Sequence, residues 1–242
     1  QKAEIEYSDY ESRFDKLRQV QEEWFERGQQ IGTLIDLEVS ERLAQVMVKS
    51  TQTSEHRGTA LNHWAVAFMT LGERAGGEQG LKYLMQAVDA YDGALEIRSR
   101  ETMPADWATT QMNRAIALRY LGERAGGEQG LEYLQQAVEA YDAALEIRTR
   151  ETMPEDWAMT QMNRAGALTR LGERAGGEQG LKYLQQAVEV YDDALEITTR
   201  ETMPAKWATT QMNRGAALQT LGERAGGEQV VKYLSGWISK HH

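Results

Sequence analysis

The chain has 242 residues, a net charge of −10, 41% hydrophobic and 26% charged residues, and no cysteine. That balance suits a folded chain and excludes disorder, disulfide scaffolds, cysteine-ligated zinc and thiol catalysis. Acidity disfavours nucleic acid and anionic membranes, since phosphate binding needs clustered Lys and Arg, and no apolar run approaches the roughly 20 residues that span a bilayer. The expectation is a cytoplasmic protein with no nucleic-acid and no membrane partner.

Residues 1–53 form an N-terminal helical segment outside any repeat. Ser8 followed three residues on by Glu11 suggests a capping box. Tyr10, Phe14, Leu17, Val20, Trp24 and Phe25 recur at helical spacing, and Gly28 supplies a stop. A second helix is expected over 30–48, and a third from Ser54 through Trp64 and Phe68 to Gly72. The first pair either caps the remaining helices or trails from an upstream domain. Gln1 in place of Met suggests a piece of a longer protein, and His241-His242 a tag remnant.

Residues 54–242 are a repeat array, with units near 54–100, 101–150, 151–200 and 201–242. Residues 121–170 match 71–120 at 40 of 50 positions and 171–220 at 39 of 50, without insertion or deletion. Self-similarity this close at a fixed period means one helical unit stacked on its own copies. Each copy carries two helices. The first is expected over 104–123, with Thr102 as cap, Pro104 in the first turn and Asp106 at the positive helix end. Ala125-Gly126-Gly127 breaks it. The second is expected over 128–148, with Leu131, Leu134, Ala137, Val138, Tyr141, Ala144, Leu145 and Ile147 as its apolar stripe. Isolated helices of this length are marginal in water, so their faces must be covered by neighbours. The small residue at 115 (Ala65, Ala165 and Gly215 in the other copies) lets helices approach closely. The fourth copy departs from the pattern after Leu234: Val230 replaces Gly130 and Gly180, and Ser235-Gly236-Trp237 replaces Gln-Gln-Ala. Val230 and Trp237 suggest docking at the array end, and with it a homo-oligomer.

Ala115 and Leu118 in the first helix, with Ala137, Tyr141 and Ala144 at 4-then-3 spacing in the second, resemble the tetratricopeptide repeat. The fit needs extra residues around ERAGGEQGLE and RETMPE, and covers roughly residues 55–235. The 50-residue form looks like long-repeat arrays of bacterial multidomain proteins. The resemblance implies an all-α solenoid of antiparallel helical hairpins in a right-handed superhelix. It also implies a concave groove lined by the first helix of each copy. Trp107 and Arg114 depart from the family pattern.

On that helix Thr109, Asn113, Ile116 and Tyr120 share one stripe. Its counterparts are Thr59, His63, Val66 and Thr70, then Met159, Asn163, Gly166 and Arg170, then Thr209, Asn213, Ala216 and Thr220. An Asn amide both accepts and donates, so Asn113, Asn163 and Asn213 suit the C=O and N–H of an extended peptide. The same ladder also suits bonds that hold the stack. Copies differ at 109, 116 and 120, where Tyr120 offers an aromatic anchor and Arg170 a cation. The expected role is a peptide- or protein-binding scaffold within a larger signalling or effector protein. The alternative is a structural self-association array.

Catalysis is not expected. The AGGEQG loop lacks the Lys, Ser or Thr of a phosphate loop and is read as a turn. Glu139, Asp142 and Glu146, like Asp89, Asp92 and Glu96, fit a solvated helix face. His56 and His63 lie seven residues apart with no third ligand, so neither metal nor cofactor is expected.

Overall fold

A computed structural model describes the backbone of residues 2–225 and side chains from residue 9 onward. Every element among the described residues is an α-helix: α1 (Lys2–Ile31), α2 (Leu34–Ser50), α3 (Ser54–Arg74), α4 (Gly77–Leu95), α5 (Pro104–Arg124), α6 (Gly127–Leu145), α7 (Pro154–Arg174), α8 (Gly177–Leu195) and α9 (Pro204–Ala225). The chain divides into two compact units after Arg124. In the first, α2 packs on α1 and α3, and α4 packs on α3 and α5. In the second, α7 packs on α6 and α8, and α8 packs on α7 and α9. Each unit is thus a stack of helical hairpins, the packing of a helical repeat solenoid.

The expected apolar stripe is the core of each stack. In the first unit Ala65, Phe68, Ala87, Ala90, Tyr91 and Ala117 form one buried cluster. In the second, Leu134, Ala165, Leu168, Leu171, Ala187 and Tyr191 belong to another. Ala65, Ala115 and Ala165 have no exposed surface, as close helix approach requires. Burying a Leu or Val side chain stabilises by roughly 1.5–3 kcal/mol, so these contacts, and not helix propensity, hold the hairpins.

The Gly-rich loop is a turn with two strict positions. Gly77, Gly127 and Gly177 have φ +59, the left-handed region that costs Gly nothing. Gly180 begins the packed part of α8, and a Cβ there would lie 2.3 Å from the Ala175 carbonyl oxygen. Helix starts differ from expectation. Thr152 does not cap α7: Met153 is the N-cap residue, without a side-chain bond. Thr152 instead accepts or donates a hydroxyl bond with Thr149 at 2.9 Å, as Thr102 does with Ser99 at 3.0 Å. The second helix α6 ends at Leu145, three residues early. Arg148 is then carried inward, 5% exposed, to donate to the Thr160 hydroxyl.

The N-terminal segment differs most. Ser8 lies inside α1, which starts at Lys2, so it does not begin a helix. Gly28 does not stop α1, which runs on to Ile31 and ends at Gly32, φ +79. Gly28 is instead a close-approach position, where a Cβ would lie 2.8 Å from the Leu37 side chain. Gly72 has the same relation to Leu84, at 2.7 Å. Arg74 donates to the carbonyls of Gly28 and Gln29, as Arg124 donates to those of Gly72, Glu73 and Ala75. The α1–α2 hairpin therefore packs on α3 as a further, diverged copy would. Val230 and Trp237 lie outside the described residues.

Candidate binding surface

The stripe expected from spacing lies on α3, α5, α7 and α9. Pro104, Pro154 and Pro204 start three of these helices. Proline suits a first turn because its missing N–H has no intrahelical partner there. Buried Ala158, Ala165 and Leu168 of α7 fix which side faces inward. Met159, Asn163 and Gly166 are then half-buried, and Arg170 is exposed. On α9, Thr209 is exposed and Asn213 half-buried. Thr109, Asn113, Ile116 and Tyr120 of α5 are all half-buried.

Several of these side chains are already engaged. Thr109 and Thr209 return their hydroxyls to the carbonyls of Ala105 and Ala205 at 2.9 and 3.0 Å. The Tyr120 hydroxyl donates to Glu73 on α3 at 2.8 Å. Arg119 stacks on the Tyr120 ring at 4.6 Å. Burial and then the Glu73 bond push the Tyr120 hydroxyl above its ordinary pKa. Arg170 pairs with Glu173 on its own helix at 2.8 Å. Asn163 and Asn213 differ: half-buried, they make no side-chain hydrogen bond with any described residue. The same holds for Asn113.

His63, the fourth member of the stripe, faces α1. Its Nδ1 bonds Gln21 Oε1 at 2.8 Å, and its Nε2 lies 3.7 Å from Glu22. Burial holds its pKa below the ordinary 6.5, against the raising influence of Glu22. Gln29 of α1 donates to Thr70, the Tyr120 counterpart, at 3.5 Å. The α1 helix thus lies along the stripe of α3.

The two departures from the family pattern have structural partners. Arg114 pairs with Asp92 at 2.5 Å and Arg164 with Asp142 at 2.6 Å, and Arg214 pairs with Asp192. Each joins a first helix to the second helix of the preceding copy. Trp157 and Trp207 lie under Arg150 and Arg200, at 5.7 and 6.0 Å. The Arg–Asp pairing was signalled by the fixed 22-residue offset of Arg and Asp in every copy. Among the described residues no group of three His, Cys, Asp or Glu could hold a metal. No helix among them is long and apolar enough to cross a membrane.

No family model matches the chain, and no curated protein matches it. Among solved structures, the crystal structure of a de novo designed helical repeat protein is similar at 16% identity and a TM-score of 0.35, covering 96% of this chain and 93% of that one. That likeness is too loose to add to the packing above, which by itself makes the chain an all-α helical repeat protein.

Proposed function

We propose that this chain is a protein-binding scaffold, a tetratricopeptide-like array that recognises an extended peptide on the outward stripe of its first helices. One observation carries the reading. Asn163 and Asn213 hold the same place in successive copies with no side-chain hydrogen bond to any described residue. Amides used to hold a stack would be bonded to it. An unspent amide offers a donor and an acceptor to a peptide backbone. Ligand selectivity then falls to the residues that vary around them: Met159, Gly166 and Arg170 on α7, and Thr209 and Ala216 on α9. The first copy is excluded from this surface, since His63 is taken up by α1. The partner is a protein or peptide segment, and no cofactor enters.

The test is selection of binders from a random peptide library, then titration of the selected peptide into the native chain and an Asn163→Ala/Asn213→Ala variant. Each lost hydrogen bond is worth about 1 kcal/mol, so the double variant should bind about thirtyfold more weakly with an unchanged melting curve. Equal binding by both proteins refutes the reading. So does a variant that unfolds, because the amides would then be structural.

A further inference from the structure

The outward stripe contains one glycine, Gly166 of α7, where its counterparts are Val66, Ile116 and Ala216. Glycine is the least favoured of these inside a helix. Packing and backbone do not call for it. A Cβ on Gly172 of the same helix would lie 2.5 Å from Leu184 Cγ. A Cβ on Gly166 would meet a single atom within 4 Å beyond its own helix backbone, the Tyr191 hydroxyl at 3.7 Å, which is ordinary contact. Its φ also lies outside the left-handed region that only Gly77, Gly127 and Gly177 visit in this unit. Gly166 thus weakens α7 without serving a contact among the described residues.

What the glycine leaves is a notch. In the first unit the matching Val66 is half-buried and packs against the cluster that holds Tyr91. In the second unit no side chain stands at 166, and the buried Tyr191 hydroxyl lies just beneath. Gly166 itself is half-buried, so the gap opens outward.

We infer that the notch over Gly166 seats one aliphatic side chain, of Val, Leu or Ile size, from the extended peptide whose backbone Asn163 holds; the inference rests on the binding reading above. Three observations select that occupant. The first is place. Asn163 and Gly166 are three residues apart on one helix, neighbours at about 5–6 Å, so a residue held through its backbone by the amide can set its side chain over the glycine. The second is size. The side chain missing at 166 is the one that Val66 and Ile116 supply elsewhere. The third is character. Met159 replaces Thr109 and Thr209 on the near side of Asn163, and Met162 is half-buried one turn before Gly166. Methionines are apolar and adapt to the shape of an aliphatic partner. The nearby cations Arg164 and Arg170 are paired with Asp142 and Glu173.

The test selects binders from a random peptide library on the native chain and titrates a selected peptide into native, Gly166→Ala, Gly166→Ile and Asn163→Ala/Asn213→Ala chains. Selected peptides should share one aliphatic position. Gly166→Ile should weaken binding at least tenfold and Gly166→Ala by less, while neither melts below the native chain. A peptide with that aliphatic residue changed to Ala should bind the native chain at least tenfold more weakly and should lose little further on Gly166→Ile. A Gly166→Ala chain less stable than the native one overturns the inference, because packing would then need the glycine. Peptides without a shared aliphatic position, or bound equally by native and Gly166→Ile chains but weakened by the Asn variant, overturn the notch and leave the Asn reading standing. A library without binders, or binders untouched by the Asn variant, overturn both.

Discussion

Replacing Gly72 by Ala and, separately, Gly93 by Ala asks whether helix propensity or helix approach governs the hairpin. Both glycines belong to the α3–α4 pair, and both sit in helices, where Ala is favoured over Gly by about 1 kcal/mol. Their surroundings differ. A Cβ on Gly72 would lie 2.7 Å from Leu84 Cγ, 2.9 Å from its Cδ2 and 3.0 Å from its backbone nitrogen. Carbon atoms prefer roughly 3.5–4.0 Å. The nearest atom is a branch point and the third is main chain, so the clash is relieved only by moving α4. Overpacking of this kind costs about 1–3 kcal/mol, and the upper part of that range applies here. After the propensity gain, Gly72→Ala should lose about 1–2 kcal/mol. A Cβ on Gly93 meets only Leu61 Cδ1 at 3.5 Å and Cδ2 at 3.9 Å, which is ordinary contact. The next copy has Ala143 there. Gly93→Ala should therefore gain about 0.5–1 kcal/mol. Urea unfolding followed by circular dichroism reads both, with midpoints compared at unchanged slope. A Gly72→Ala chain as stable as the native one would refute the claim that the missing Cβ sets the α3–α4 distance.

Three further outcomes are expected. Because His63 has a depressed pKa in the folded chain, the unfolded chain binds the proton first. The stability His63 contributes is complete above pH 6.5 and falls as the pH drops from 6.5 through the folded value. His63→Gln should remove that acid-side loss, and a stability difference flat in pH would refute it. The Arg214–Asp192 pair has side chains 12% and 10% exposed, against 22% and 48% for Arg114–Asp92. Asp192→Asn should thus cost about 3 kcal/mol and Asp92→Asn less than about 1 kcal/mol in the same denaturation assay; equal costs would show that burial is not what separates them. The Thr53 side chain caps α3 by accepting from the His56 N–H at 3.2 Å, so Thr53→Ala should cost about 1 kcal/mol, read from the melting curve.

The repeated helices were legible because their boundaries are written in local chemistry. Pro104 can only begin a helix, and Gly127 supplies a backbone conformation that ends the connecting turn. The apolar stripe through Leu134, Ala137, Tyr141 and Ala144 then leaves one side to bury. What stayed hidden was set by distant partners. Gly28 has the composition of a stop, and only the approach of Leu37 reveals it as a packing position. The N-terminal hairpin escaped the repeat pattern because its Gly28-to-Leu37 stretch lacks the GERAGGEQG signature that lies around Gly72 and Leu84. Tyr120 and His63 were expected to be free for a ligand. Their partners, Glu73 and Gln21, lie 47 and 42 residues earlier, beyond the reach of any local pattern. The Asn positions were found from spacing, but their lack of bonds could not be.

The arginine that closes each first helix has a consequence for how such a chain can change. Arg224 donates to the carbonyls of Gly172, Glu173 and Ala175, 52, 51 and 49 residues earlier, and Arg124 reaches the matching carbonyls of Gly72, Glu73 and Ala75 at the same separations. Those carbonyls are the orphan acceptors that every helix leaves at its C-terminal end. Each copy therefore brings the donor that its predecessor lacks and offers the acceptors that its successor needs. Duplicating or deleting one whole 50-residue copy leaves every such donor with an acceptor, whereas losing part of a copy breaks the register at once. Recombination between near-identical copies can thus alter the number of units, and with it the number of Asn positions on offer, without any new solution to the folding problem.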